Sequence, residues 1–407
     1  MSRLFQGTSN QAARTWYECA RLLHVFVGEL AEQVVDHLRK TVSRISPVSI
    51  RKRKLWQNFQ GAAREMHGQL NPTVTGQTKS VERTVLTNRP VIFASACIDA
   101  ALDGGMRYCG GVKELNLLVK CARLNGYEAY VVTYEGHVQE WLIEHQPVVS
   151  LSEFRKMIAT GLPYRCVTSV LTARPFISSV PEYYFWDMEL ALSDGGHHRL
   201  LLSDHRRRIK KTAAISRTVQ AYQMAVSRRP CVLIPNLLDE SIWCAKPERR
   251  VEGQIGYMQE GTDTGALVDE ISDGLRELGL EHKFVCIAGN EAAVLSTMQT
   301  CDIFLSTNPY KHPLWGEGCP RTIIESMAAG CVAVAFDVIG NRETIISGYN
   351  GWLLPQSGRE VAKTTLADLL RCPEKKEFLR SNSLSVLPAC HKLKEQWPLF
   401  ESFLDLA

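Results

Sequence analysis

From Pro90 onward the chain alternates short apolar runs with amphipathic stretches, and this alternation is the strongest constraint on its fold. "PVIFASA" has the unbroken apolar character of a strand buried on both faces. "GGVKELNLLVKCARLNG" then places Val112, Leu115, Leu118 and Val119 on one helical face and closes on Gly126. "YEAYVVT", "RCVTSVL", "EYYFW", "KTAAIS" and "CVLIPN" continue the series as strands. A second series runs through "GQIGYM", "EHKFVCIAG", "CDIFLST", "CVAVAFD" and "GWLLP". Strands separated by helices lie parallel, with helices on both faces. The expected fold class is therefore α/β: two Rossmann-like domains facing a cleft, preceded by a helical extension. The expected boundaries are a basic amphipathic extension over 1–88, a first domain over 89–236 and a linker over 237–250. A second domain follows over 251–360, with helices over 361–407 returning toward the first.

Charge separates the extension from the body. Residues 1–85 hold thirteen Lys and Arg against six Asp and Glu, a balance of +7, which leaves −3 for the other 322 residues of a chain whose net charge is +4. A nearly neutral body lacks the concentrated basic face of a nucleic-acid-binding protein. Within the extension, Trp16, Cys19, Leu23, Phe26, Leu30, Val34, Leu38, Val42 and Ile45 recur at helical spacing, and "RKRKLW" follows Pro47. Such a helix packs on the rest of the protein, with a solvated linker, or its basic cluster and Trp56 attach it to an anionic membrane. No apolar run approaches the roughly 18 residues of a membrane span, and the N-terminus lacks signal-peptide features. Thirteen cysteines without a C-x-x-C pair read as reduced thiols. The expected location is the cytoplasm, with peripheral membrane attachment through residues 1–85.

Open parallel sheets bind ligands beyond the carboxyl ends of their strands. In the first domain, Gly104, Gly105, Gly110 and Gly111 occupy that place and permit close approach to the backbone. In the second, "CDIFLST" leads through "NPYKHPLWGEGC" into the helix "RTIIESMAA", which Gly330 closes. Glu317 stands in the loop, and Glu325 in the helix among Ile323, Ile324, Met327 and Ala328. Free N–H groups at a helix start suit an anion such as a diphosphate. Two acids flanking that position fit a ligand with hydroxyls on either side of its charge, such as a ribose diol. A capping acid and an exposed helix glutamate are the simpler alternative.

"EGCPRTIIE", with "SMAAGCVAVAFDVIGNRETIISGYNGWLLP" after it, resembles the donor-binding signature of the retaining glycosyltransferases of family 4, which have the GT-B fold. The paired glutamates eight residues apart, "GNRE" (340–343) and "GYNGWLL" (348–354) carry the resemblance. More loosely, "GGVKELNLLVKCARLNGYEAYVVT", "AISRTVQAY" and "VLIPNLLD" are similar to the family's first domain. The resemblance covers about 310 residues from Pro90. It implies that the first domain binds the acceptor and the second a nucleotide-sugar donor carrying UDP, GDP or dTDP. Glu325 would bond the donor's ribose and Glu317 would contact the transferred sugar. Gly318 and Cys319 would place backbone N–H groups near the sugar and diphosphate, beside Gly104 and Gly105. No metal and no resident cofactor are expected, and the acceptor is a glycan or lipid-linked glycan in polysaccharide or glycoconjugate synthesis.

One segment departs from the pattern. Family members usually carry an Arg and a Lys after the first strand of the second domain, whereas "IGYMQEGTDTGA" has no basic residue. Arg321 is then the expected cation for the diphosphate, with Lys311 second. "YYFWDMEL" resembles a segment of rhamnosyltransferase-like members that carries an acid facing the cleft, which makes Asp187 a catalytic candidate and Glu189 a weaker one. His197, His198, Asp204 and His205 read as part of a basic helix rather than a metal site. The expected activity is retaining sugar transfer; the alternative is a catalytically silent relative that binds or assembles. A nucleotide-sugar epimerase of similar fold fits the paired-glutamate run less well.

Overall fold

The computed structural model describes residues 89–96, 110–169, 174–188, 195–259, 263–307, 318–338, 340–355 and 358–406, without the side chains of 195–198 and 388–390. The expectations for residues 1–88 lie outside these, and Leu86–Ala407 forms one compact unit. Its first half contains β1 (Val91–Ser95), α1 (Gly110–Leu124), β2 (Ala129–Thr133), β3 (Val148–Ser150), α2 (Leu151–Ala159) and β4 (Tyr164–Thr168). It continues with α3 (Arg174–Ile177), β5 (Tyr183–Asp187), α4 (Gly195–Arg207), β6 (Ile209–Ala214), α5 (Arg217–Ser227) and β7 (Cys231–Leu233). The strands form one seven-stranded parallel sheet in the order β3-β2-β1-β4-β5-β6-β7. Winding reverses between β1 and β4, the position where open sheets bind ligands.

The second half contains β8 (Val251–Tyr257), α6 (Thr264–Glu277), β9 (Lys283–Cys286), α7 (Glu291–Met298), β10 (Cys301–Ser306), α8 (Arg321–Ala328) and β11 (Val332–Phe336). Then come α9 (Asn341–Thr344), β12 (Trp352–Leu354), α10 (Arg359–Arg371), α11 (Pro373–His391) and α12 (Leu393–Phe403). Its five parallel strands run in the order β12-β11-β10-β8-β9, with the reversal between β8 and β10. There the Thr307 hydroxyl donates to Met258 O at 3.0 Å, tying together the two strand ends that flank the crevice. Every residue of β1, β5, β10 and β11 is buried, which accounts for their largely apolar spelling.

Local signals set the helix starts. Ser150 accepts from Glu153 N and the Glu153 carboxylate accepts from Ser150 N, a reciprocal cap on α2. Ser216 caps α5 by accepting from Val219 N, and Asn290 caps α7 by accepting from Ala293 N. Helix α8 gives way to Gly330 at φ +94°, a conformation that Gly adopts without a Cβ clash.

One apolar cluster runs through both halves, joining Trp186 and Ile215 of the first to Phe304, Ile323 and Met327 of the second. Helix α12 completes it by returning to the first sheet. Trp397 lies 5.2 Å from Tyr127, Phe400 5.1 Å from Trp186 and Phe403 5.5 Å from Tyr184, ring centre to ring centre. Arg165 Nε pins the end of the helix through Leu404 O at 2.7 Å. Strand β3 is absent from the strands read in the sequence, because three residues are too few to show a period.

Candidate active site

Helix α8 begins at Arg321, with Pro320 as its N-cap. Proline brings no side-chain acceptor, so the first-turn N–H groups have no side-chain cap. The apolar residues of α8 pack inward, and Arg321 and Glu325, one turn apart, are buried with them.

A buried charge in such a place needs partners. Arg321 Nε donates to Glu325 Oε1 at 2.9 Å, and Lys113 of α1 approaches the same oxygen at 2.6 Å. Neither bond uses Oε2. Burial alone raises the Glu325 carboxyl, but Lys113 and Arg321 together override it and hold the group below its ordinary value. Arg321 Nη1 also donates to Leu237 O at 3.1 Å and to Glu114 Oε1, while Glu114 Oε2 accepts from Leu237 N at 2.9 Å. For Glu114 burial wins: its carboxyl is raised despite Arg321. Burial opposes the charge on Arg321, but Glu114 and Glu325 more than offset it, so the guanidinium stays protonated.

Lys113 is further paired with Glu291 Oε1 and lies 4.3 Å above the Trp243 ring. Glu291 is fixed in turn by Ile143 N at 2.8 Å and Trp243 Nε1 at 3.2 Å. Five charged side chains from α1, α7 and α8 thus form one buried cluster between the two sheets. With every member ionised it would hold three carboxylates against two cations; a proton on Glu114 would balance it.

The backbone around the cluster is equally close. A Cβ on Gly110 would stand 3.4 Å from Arg321 Cδ, so the starts of α1 and α8 abut. A Cβ on Gly318 would stand 2.6 Å from Val219 Cγ2 and 3.3 Å from Met188 O, so only Gly lets this loop reach the end of β5. Asn236 donates to Cys319 O at 2.6 Å, and Thr218 donates through N and Oγ1 to Glu343 Oε1 at 3.1 and 3.0 Å. A cavity of about 20 Å³ beside Lys113, walled by Asn116, Lys120, Asp239 and Glu291, has room for a water rather than a nucleotide.

The structure thus gathers Glu325, Arg321, Gly318 and Cys319 at one place. Arg321, expected to face a diphosphate, is instead committed to Glu325, Glu114 and Leu237, with Nη2 buried and unpartnered. Asp187 ends β5 but is buried, accepting from Gln223 Nε2, and Gln223 Oε1 lies 3.0 Å from His205 Nε2. Burial lowers His205, and Asp204 instead accepts from the Tyr183 hydroxyl at 2.7 Å. Among the described residues no group of three His, Cys, Asp or Glu could hold a metal ion. Glu317, Lys311, Gly104, Gly105 and Glu189 lie outside the described residues, as do the side chains of His197 and His198. Lys113, Glu114 and Glu291 were not singled out in the sequence. The only signal was a pair of charges set among the apolar residues of a helix that follows a Gly-Gly turn.

Two parallel sheets joined in this way have the GT-B fold of glycosyltransferases. Residues 260–385 match the family described as Glycosyl transferases group 1, and this match and the fold together support a glycosyltransferase. Among solved structures, Anabaena Alr3699/HepE in complex with UDP is similar at 15% identity and a TM-score of 0.58, over 78% of this chain and 100% of that one. The sucrose-phosphate synthase of Thermosynechococcus elongatus is similar at 15% identity and a TM-score of 0.57, with the same coverage. A glycosyltransferase of Rickettsia africae is similar at 11% identity and a TM-score of 0.55, over 79% of this chain and 100% of that one. No curated protein matches the chain by sequence.

Proposed function

We propose that the chain is a retaining glycosyltransferase that moves a sugar from a nucleotide-sugar donor to a glycan or glycolipid acceptor. The observation that carries this reading is Glu325: a buried carboxylate, kept ionised, with one oxygen held by two cations. The other oxygen can then accept hydrogen bonds from a ribose diol without disturbing the pair. Glu317 contacts the transferred sugar, and the backbone at Gly318 and Cys319 lies beside it. Asp187 belongs to the acceptor side. The reaction proceeds by front-face attack, the departing phosphate taking the acceptor's proton. The Anabaena structures were solved with UDP and with UDP-glucose, which makes UDP-sugars the first donors to try and GDP- and dTDP-sugars the next. On this reading the protein works in the cytoplasm, with residues 1–85 attaching it peripherally to the membrane that holds its acceptor.

The test is a thermal-shift and donor-hydrolysis screen across those nucleotide sugars. Stabilisation by one nucleotide is expected, and an active donor should yield a product with the donor's anomeric configuration by proton NMR. Glu325→Ala should weaken binding of the free nucleoside diphosphate about 10- to 150-fold, the effect of a lost charged hydrogen bond. Glu317→Ala should leave that binding intact and depress transfer. Silence across the whole panel would favour the catalytically silent relative.

A further inference from the structure

The second domain offers a donor diphosphate no cation of its own after β8, and Arg321 is bound up in the fold. We infer that Lys113, contributed by the first domain, is the cation that contacts the donor's phosphates. This rests on the reading of Glu325 as the ribose ligand.

Three observations lead there. Lys113 sits in the first turn of α1, and that helix start abuts the start of α8, as the 3.4 Å approach of Arg321 to a Cβ on Gly110 records. Two helix starts from opposite sheets therefore converge at one place, each favouring an anion, and that of α8 has no side-chain cap. The Lys113 ammonium is 2.6 Å from Glu325 Oε1, so a phosphate one ribose away from Glu325 is within reach of its four-carbon stem. Finally, the two cations of the cluster differ in freedom. Arg321 is a planar fork with Nε and Nη1 fixed on three acceptors, two carboxylates and a backbone carbonyl. Lys113 is a point charge that can turn about its own stem and exchange one carboxylate for a phosphate oxygen.

The exchange also suits the charge of the cluster. With Glu114, Glu291 and Glu325 facing Lys113 and Arg321, the cluster has no cation to spare, and an arriving diphosphate meets a positive charge only if one turns to it. Lys113 leaves least undone when it turns. Glu291 keeps Ile143 N and Trp243 Nε1, and Glu325 keeps Arg321.

The experiment compares nucleoside and nucleoside diphosphate binding to the full chain by calorimetry. UDP and uridine are the probes, with GDP and guanosine and dTDP and thymidine run in parallel. For the pair that binds wild type, Lys113→Gln should weaken the diphosphate about 10- to 100-fold and change the nucleoside less than threefold. Lys113→Arg should recover part of the loss, and the diphosphate's dependence on salt should fall in Lys113→Gln. Equal weakening of nucleoside and diphosphate would make Lys113 a scaffold residue and overturn the assignment. Tightening of both would show it to be a latch on Glu325 and overturn it as well. If wild type binds no nucleoside diphosphate, the transferase reading itself fails. If wild type binds and Lys113→Gln binds equally well, only Lys113 is removed.

Discussion

Arg321 ties Glu325, Glu114 and Leu237 O together in the buried cluster, and its removal should act on folding before it acts on turnover. Arg321→Ala leaves Lys113 as the one cation of the cluster beside Glu325 and Glu114, so a loss of about 3–5 kcal/mol in urea unfolding is expected, the usual result of breaking a buried ion pair. Arg321→Lys should recover only part, since a single ammonium cannot reach Glu325, Glu114 and Leu237 O together. Glu114 and Glu325 should respond to pH in opposite senses. The folded state lowers Glu325, so its contribution is present above the unfolded carboxylate value of about 4.3 and is lost as pH falls through the folded value. The folded state raises Glu114, so its contribution falls as pH rises from about 4.3 through the folded value. Glu114→Gln, which keeps an oxygen for Arg321, should therefore gain stability relative to wild type as pH rises across that interval. A stability difference that stays flat with pH would mean that Glu114 is ionised in the fold throughout.

Helices α8, α1 and α12 show what could be read of this architecture and what could not. Glu325 stood out in the sequence because acids are rare among Ile323, Ile324 and Met327, and an acid there implies a partner. The partners were hidden: Lys113 and Glu114 lie more than 200 residues away, on a helix of the other sheet. Asp187 was legible as a strand-end acid, but nothing local announces that Gln223 seals it inward. Apart from β3, the strands of both sheets were legible from their apolar runs; the pairing order β3-β2-β1-β4 depends on contacts no single run encodes. Helix α12 belongs to the same class. Trp397, Phe400 and Phe403 share one face by spacing, yet only the fold shows that they meet Tyr127, Trp186 and Tyr184. Phe400 is fully buried against Trp186, so Phe400→Ala should lower stability by about 3–5 kcal/mol while leaving the ion cluster's residues in place. Chemical unfolding measures the first, and nucleotide binding at low denaturant checks the second.

At the scale of the whole molecule, the two sheets are bound by a shared apolar cluster, by the buried charges and by α12 crossing back, all within Leu86–Ala407. The alternating strands and helices begin only at Pro90, so a chain beginning near Val85 should fold with the cooperativity of the full chain. The extension carries +7 of net charge while the remainder carries −3, and among the described residues no helix is long and apolar enough to cross a membrane. If residues 1–85 bring the protein to its acceptor, the attraction is electrostatic, supplemented by Trp56 and the apolar face of the long amphipathic pattern. Each Lys or Arg near an anionic surface contributes about 1 kcal/mol, within a screening length of about 10 Å at 0.1 M salt. The full chain should therefore sediment with vesicles containing phosphatidylserine at low salt, and far less so at 0.5 M. Vesicles of phosphatidylcholine alone should capture little of it, and the chain beginning near Val85 should stay in the supernatant with both. Binding that ignores salt, or that survives the truncation, would take the membrane role away from the basic cluster and leave the extension as a helix that packs on protein.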